Sequence, residues 1–146
     1  MKLGFTGGQR KLTTVQTFVM HGWLARELRD GDEFHHGDCV GADETAAGFV
    51  AELKPHRGTL TIVGHPPIDE KARAFTMCDH LWLPKDFLDR NHDIVNSTEV
   101  LLATPNTAHE IRRSGDWSTI RYARTKRRPI TIIYPSGRLE EEVPAI

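Results

Sequence analysis

Apolar positions along the chain fall into two patterns, short runs bounded by turn residues and longer segments with apolar residues three or four positions apart. The short runs predict strands, and Val100–Ala103 is typical of a strand buried on both faces. The predicted strands span residues 2–5, 33–36, 59–63, 100–103 and 130–134.

The segments with three-to-four spacing predict helices that follow most of these strands. Thr13 or Thr14 is expected to cap the first helix, and Ser114 or Asp116 the last, because a short side-chain oxygen accepts from the first free N–H groups. The helical faces are Val15, Phe18, Val19, Gly22, Ala25 and Leu28; Ala46, Phe49, Val50 and Leu53; Phe87, Asn91, Ile94 and Val95; and Trp117, Ile120 and Ala123.

Three segments are less clearly patterned. Ile68, Ala72 and Phe75 predict a further short helix. The stretch 81–83 fits a strand or a packed loop equally well, and 140–142 reads as a solvated acidic tail. The alternation of strands and helices over the whole chain predicts one α/β domain, 1–146, with a parallel sheet covered by helices on both faces.

Loops that contain glycine follow three of the strands. They are Thr6–Arg10, Gly37–Asp43 and the loop that ends at Ser114–Gly115. Ligands of such sheets bind beyond the carboxyl ends of the strands, so these loops are expected to meet at one crevice. Glycine allows close approach of a ligand, and a helix start offers unpaired N–H groups to an anion. The pattern therefore suits a phosphate or another anion on Gly7–Gly8 and Ser114–Gly115.

Composition narrows the classes of function. The 146 residues carry a formal net charge of −1, which disfavours a partner as anionic as long nucleic acid. No apolar run is long enough to cross a bilayer, so we expect no membrane partner and a cytoplasmic location. Two cysteines give no disulfide framework, and His35 and His36 should lie on opposite sides of a strand, so neither a metal nor a cofactor is expected.

The glycine loops resemble those of the SLOG superfamily, which includes DNA-processing proteins of the Smf/DprA type and LOG-type phosphoribohydrolases. Thr6-Gly-Gly-Gln-Arg10 is similar to the first loop of the family, and Gly37-Asp-Cys-Val-Gly-Ala-Asp43 to its second. Ser114-Gly-Asp-Trp-Ser-Thr-Ile-Arg-Tyr-Ala123 is similar to its third motif, and Arg90-Asn91 with Ile94-Val95 to a motif of its stand-alone members.

The resemblance implies a Rossmann-like three-layer α/β/α domain with a mainly parallel sheet of about five to six strands. It also implies a nucleotide-derived ligand and a homo-oligomer. The candidate ligand-binding residues are Thr6, Gly7, Gly8, Arg10, Gly37, Gly41, Asp43, Arg90, Asn91, Thr104, Ser114, Gly115 and Thr119. Where LOG-type enzymes carry their catalytic glutamate, this chain has Ser118 or Thr119.

Three functions follow as hypotheses. The leading one is binding of a nucleotide or nucleotide-derived signal, with Arg10 and Arg90 neutralising phosphate and Asp43 contacting the sugar. Arg90 could instead pair with Asp86 or Asp93 on its own helix. The second hypothesis is hydrolysis of an N-glycosidic bond, with Glu110 or Asp116 as the catalytic carboxylate.

The third hypothesis is binding of single-stranded DNA through a basic run, with nucleic acid the less favoured partner. That run comprises Arg121, Arg124, Lys126, Arg127 and Arg128, and a solvated helix face is its alternative explanation. Trp117 follows the last glycine loop and fits either the core or a surface for base stacking.

Overall fold

The computed structural model describes residues 1–145 and contains a seven-stranded sheet in the order β4-β3-β2-β1-β5-β6-β7. All neighbouring strands are parallel except β7, which is antiparallel to β6. The strands are β1 Lys2–Gly7, β2 Glu33–His36, β3 Thr61–Gly64, β4 His80–Leu81, β5 Val100–Thr104, β6 Ile130–Ile133 and β7 Leu139–Glu142. The α-helices within this range are α1 Thr14–Glu27, α2 Ala42–Leu53, α3 Phe87–Asn96 and α4 Gly115–Thr125.

The order of the strands reverses between β1 and β5. The chain moves outward from β1 through β2 and β3 to β4, then returns to pair β5 with the other side of β1, in register from Leu3↔Val100 to Gly7↔Thr104. A reversal of this kind opens a crevice beyond the carboxyl ends of the two central strands, because their connections leave toward opposite faces.

Two apolar clusters pack on the sheet. Leu102 belongs to the cluster formed with α1 and α2, whereas its neighbours Leu101 and Ala103 belong to the cluster formed with α4. Successive residues of β5 therefore point to opposite faces, as the sequence predicts for a doubly buried strand. Trp117 is 2% exposed and lies in the second cluster, so it is a core residue.

The helix caps follow the predicted chemistry. Thr13 accepts from the N–H of Gln16 at 3.0 Å, and the Gln16 side chain accepts from the N–H of Thr13 at 3.3 Å, which forms a capping box. The side-chain amide of Gln16 is also buried and donates to the carbonyls of Pro105 and Ile133, each at 2.9 Å. Gln16 therefore joins the start of α1 to the ends of β5 and β6.

Two expectations about secondary structure are wrong. The expected acidic tail is strand β7, which pairs with β6 from Ile130↔Glu142 to Ile133↔Leu139. An edge strand needs only backbone partners, so acidic side chains do not prevent it. With β7 and the short β4, the sheet exceeds the predicted five to six strands.

The short helix expected around Ile68, Ala72 and Phe75 is also absent; the described chain forms turns there. Residues of this stretch donate hydrogen bonds to buried Asp38 instead. The Asp38 carboxylate accepts from the guanidinium of Arg73 at 3.1 Å and from the N–H of Thr76 at 2.9 Å. No residue from 68 to 89 is fully buried. None of the helices within residues 1–145 is long and apolar enough to cross a membrane.

Candidate functional site

A pocket of about 580 Å³ opens at the carboxyl ends of β1, β2 and β5, where the three glycine loops meet. Its volume lies within the range of small-molecule sites. The predicted site residues that line it are Thr6, Gly7, Gly8, Arg10, Gly37, Asp43, Arg90, Asn91, Ser114, Gly115 and Asp116. The structure thus brings together segments that are more than a hundred positions apart in the sequence.

The glycines of the first loop are explained by packing within the protein. A β-carbon on Gly7 would lie 2.3 Å from that of Ala42 at the start of α2. The N–H of Gly8 donates to the carbonyl of Thr104 at 3.3 Å. The expected use of this N–H for phosphate is therefore not available in this arrangement, whereas the exposed side chain of Arg10 lines the pocket.

The second loop wraps closely against the first. Gly41 has a φ of 100°, and a β-carbon there would lie 2.6 Å from the carbonyl oxygen of Gln9. Both its backbone conformation and its surroundings require glycine. Gly41 does not itself line the pocket; its role is to let α2 begin directly behind the first loop.

Asp43 holds the second loop from within α2. Its carboxylate accepts from the N–H of Cys39 at 3.1 Å and is almost completely buried. Burial raises the pKa of Asp43 to about 6, and the nearby charge of Arg90 opposes that rise. The pocket therefore contains a carboxyl group that changes charge close to neutral pH.

Arg90 lies at the floor of the pocket and does not pair with acids on its own helix. Its guanidinium donates to the carbonyls of Gly37 and His65 and to the side chain of Asn91. Asp93 is instead bound to Lys85 at 2.6 Å. Of the two environments that the sequence allows, the structure has the one in the crevice, where Arg90 is buried and fixed.

The start of α4 already carries a carboxylate. Asp116 lines the pocket and accepts from the N–H of Trp117 at 2.8 Å and from that of Asn106 at 3.3 Å. Ser114 caps the same helix and accepts from Trp117 at 3.1 Å. Burial raises the pKa of Asp116. The Asp116 carboxylate thus occupies the N–H of Trp117 that an anionic ligand could otherwise use at this helix terminus. Attraction for such a ligand must come from the arginines that line the pocket.

Four predicted residues lie outside the pocket lining. Gly41 is described above. The hydroxyl of Thr104 is buried without a hydrogen-bond partner among the described residues, and that of Thr119 donates to the carbonyl of Gly115 at 2.8 Å. The carboxylate of Glu110 accepts from Arg121 at 3.0 Å and from Arg124 at 2.9 Å.

Several pocket residues are absent from the sequence prediction. They include polar groups of the loop after β5 and apolar side chains at the rim: Asn106, Thr107, Arg113, Val40, Phe87 and Ile111. Asn106 and Thr107 directly follow a predicted strand, which was the available signal, but no glycine marks them. Phe87 belongs to a predicted helical face, and periodicity does not show which end of that face reaches a pocket.

The basic run at the end of α4 is largely occupied by protein partners. Arg124 binds Glu110 and also Glu142 of β7 at 2.8 Å. Arg128 donates to the carbonyl of Thr98 at 2.9 Å, and the ammonium of Lys126 lies 5.5 Å from the ring centre of Tyr122. These contacts fasten α4 to its neighbours, which fits the helix-face explanation better than a DNA surface.

The histidines of β2 lie in separate networks. His35 contacts Glu33 at 2.8 Å and His65 at 2.9 Å, while His36 accepts from the N–H of Asp38 at 3.0 Å. Among residues 1–145, no group of three or more His, Cys, Asp or Glu side chains has the arrangement of a metal site. Burial raises the pKa of the Cys39 thiol, which keeps it in its less nucleophilic form.

The sheet order, the layered helices and the crevice at the switch between β1 and β5 define a Rossmann-like α/β protein. A similar solved structure is the X-ray structure of TM1055, a structural genomics target. Its TM-score is 0.62 at 20% identity, over 88% of this chain and 71% of that chain. This likeness shows the fold alone. No protein-family profile matches the sequence, and no curated protein does.

Proposed function

We propose that the protein is a small SLOG-type binding protein that holds a nucleotide or nucleotide-derived ligand in the crevice between β1 and β5. The carrying observation is that cationic and apolar side chains line the same pocket. Its cationic side chains include Arg10 and Arg113, and its apolar side chains include Phe87, Val40 and Ile111. A nucleotide combines the matching features, because its phosphate is anionic and its base is flat and apolar on both faces.

The rim residue Phe87 supports a place for the base. It lines the pocket, is 37% exposed, and its ring centre lies 5.4 Å from the guanidinium carbon of Arg90. An exposed aromatic ring backed by a buried cation offers its free face for stacking. In this arrangement Asp43, which lies deeper, is the candidate partner for sugar hydroxyls.

The test is calorimetric titration with a panel of nucleoside monophosphates and with inorganic phosphate, beside thermal unfolding of the same mixtures. Free ligand at 100 times its dissociation constant should raise the free energy of unfolding by about 2.7 kcal/mol. Absence of binding by every nucleotide in the panel would contradict the proposal.

Paired variants locate the ligand. Arg10→Gln and Arg113→Gln should weaken binding of a monophosphate, whereas Arg26→Gln on the exposed side of α1 should not. Phe87→Ala should weaken binding of the nucleotide but not of inorganic phosphate. Leu88→Ala is its matched control, because Leu88 is 56% exposed and does not line the pocket.

One observation favours hydrolysis of an N-glycosidic bond as a second candidate. The carboxyl group of Asp116 lines the pocket, and burial raises its pKa, which favours the protonated form that a general acid needs. Incubation with nucleoside monophosphates and chromatographic detection of free base tests this. Release that is lost in Asp116→Asn would support hydrolysis, and no release from any base would exclude it for the panel.

A further inference from the structure

The side chain of Asn106 joins the loop after β5 to the loop after β1. Its Oδ1 accepts from the N–H of Arg10 at 3.2 Å, and its Nδ2 donates to the carbonyl of Arg10 at 3.3 Å. One side-chain amide therefore satisfies both backbone groups of a residue that is 96 positions away. The pairing resembles that of a neighbouring strand and fixes the backbone from which the Arg10 side chain extends.

Asp116 fixes Asn106 in turn. Its Oδ2 accepts from the backbone N–H of Asn106, while its Oδ1 accepts from the N–H of Trp117 and from the hydroxyl of Ser114. The start of α4, the loop after β5 and the loop after β1 thus form one hydrogen-bonded chain. All three segments line the pocket.

Gly8 provides the space for this link. A β-carbon at Gly8 would lie 1.6 Å from Oδ1 and 2.1 Å from Cγ of Asn106. Gly8 is not among the residues with positive φ, so a left-handed backbone is not the reason for glycine at this position. The presence of Asn106, rather than backbone conformation, is what requires glycine here.

We propose that Asn106 is a positioning residue of the ligand site, which sets Arg10 at a fixed distance from the start of α4 before ligand arrives. This inference rests on the nucleotide-binding function proposed above. Without Asn106 the first loop must be ordered by the ligand itself, and that ordering lowers affinity. We expect Asn106→Ala to weaken binding of the monophosphate that the unaltered protein binds best by about tenfold.

Asn106→Asp gives a readout that loss of structure alone would not produce. The ionised carboxylate can accept from the N–H of Arg10, but its second oxygen then faces the Arg10 carbonyl without a proton to donate. Protonation of the new carboxyl restores the donor. The affinity of Asn106→Asp relative to the unaltered protein should therefore be low at pH 7.5 and rise as the pH falls toward the ordinary pKa of an aspartate, about 3.9, whereas a ratio that is independent of pH would overturn the proposal.

The matched control is Asn96→Asp, because Asn96 accepts from the Tyr122 hydroxyl at 3.0 Å and does not line the pocket. Its affinity relative to the unaltered protein should be close to one at every pH. Dividing the affinity of each variant by that of the unaltered protein at the same pH also removes the effects of Asp43 and of the ligand phosphate, because both groups titrate in every protein compared.

A ligand-free measurement separates this inference from the proposed function. Hydrogen exchange at the Arg10 N–H should be faster in Asn106→Ala than in the unaltered protein. Gly8→Ala alone should also make this exchange faster, whereas adding Gly8→Ala to Asn106→Ala should change it little. Equal effects of Gly8→Ala in both backgrounds would overturn the positioning role. If no nucleotide binds, the proposed function fails whatever the exchange shows; if nucleotide binds equally to Asn106→Ala, only the present inference fails.

Discussion

Arg90 and Asp43 hold the same turn at the floor of the pocket. The guanidinium of Arg90 donates to the carbonyl of Gly37, and the carboxylate of Asp43 accepts from the N–H of Cys39 at 3.1 Å. A β-carbon on Gly37 would lie 2.2 Å from Arg90 and 2.9 Å from Asp43, so both groups reach the turn where it has no side chain. The turn is thereby fixed through its acceptor and its donor at once.

This relationship predicts that Arg90→Gln raises the pKa of Asp43 above its value of about 6, because the guanidinium charge opposes the effect of burial. Carboxyl-carbon NMR over a pH titration measures the change. Arg10→Gln is the control, since Arg10 lines the pocket but is not among the groups that shift Asp43. An unchanged Asp43 pKa in Arg90→Gln would show that the two groups are not coupled.

Acid should destabilise the protein through its buried histidines. Burial lowers the pKa of His36 to about 4 and that of His65 to about 3, from 6.5. Below pH 6.5 the unfolded chain therefore binds more protons at these sites than the folded chain, and the free energy of unfolding falls until the folded pKa is reached. His36 alone contributes about 3 kcal/mol of this loss.

Asp43 has the opposite effect on the free energy of unfolding. Its pKa is about 6 in the folded chain and 3.8 ordinarily, so between these pH values the folded chain binds a proton that the unfolded chain releases. The histidines have the larger combined shift and should dominate. Denaturation in urea at several pH values measures the net slope. His36→Asn, whose side-chain oxygen can still accept from Asp38, should flatten the slope; His56→Asn on the exposed turn should leave it as it was.

Glu110→Gln should have a small effect on stability, about 1 kcal/mol or less. Its ion pairs with Arg121 and Arg124 join side chains that are all more than a third exposed, where solvent and salt screen the attraction. Because Glu110 does not line the pocket, ligand affinity should not change. Calorimetric titration and urea denaturation check the two statements, with Glu142→Gln as a second variant of the same network.

Gln16→Glu should be strongly destabilising, by about 3 kcal/mol. The substitution replaces a donor by an acceptor beside the buried carbonyls of Pro105 and Ile133. Gln9→Glu, on an exposed residue, is the matched control. Urea denaturation at pH 7.5 gives both free energies, and equal losses in the two variants would show that the buried contacts of Gln16 contribute nothing beyond a charge effect.

Local and repetitive features of this fold could be predicted from the sequence. β2 has the predicted bounds, Thr13 caps α1 as expected, and β5 is buried on both faces. Each depends on neighbouring residues or on a simple period. The sequence does not indicate strand β7, because its side chains are acidic, although its backbone needs only β6 as a partner.

The candidate site was predictable only in part. The order of strands and glycine loops in the sequence predicts that Gly8, Gly37 and Gly115 lie at one crevice, and all three line the pocket. Asn106 was not predictable, because its contacts with Arg10 depend on how β1 and β5 lie beside one another. The hydrogen bond that occupies the Gly8 N–H is likewise a product of tertiary structure, so a glycine pattern alone could not show whether that group is free.

Asp38 adopts a φ of 52° and is fully buried, and the turns that follow β3 are gathered around its carboxylate. Because the stretch from 68 to 79 has no fully buried residue, its order depends on hydrogen bonds more than on packing, and Asp38 accepts several of them. Transient opening of these turns would expose the Gly37 turn to solvent while the central strands stay intact. The segment after β3 should accordingly be the least stable wall of the crevice, and a protease should cut there first.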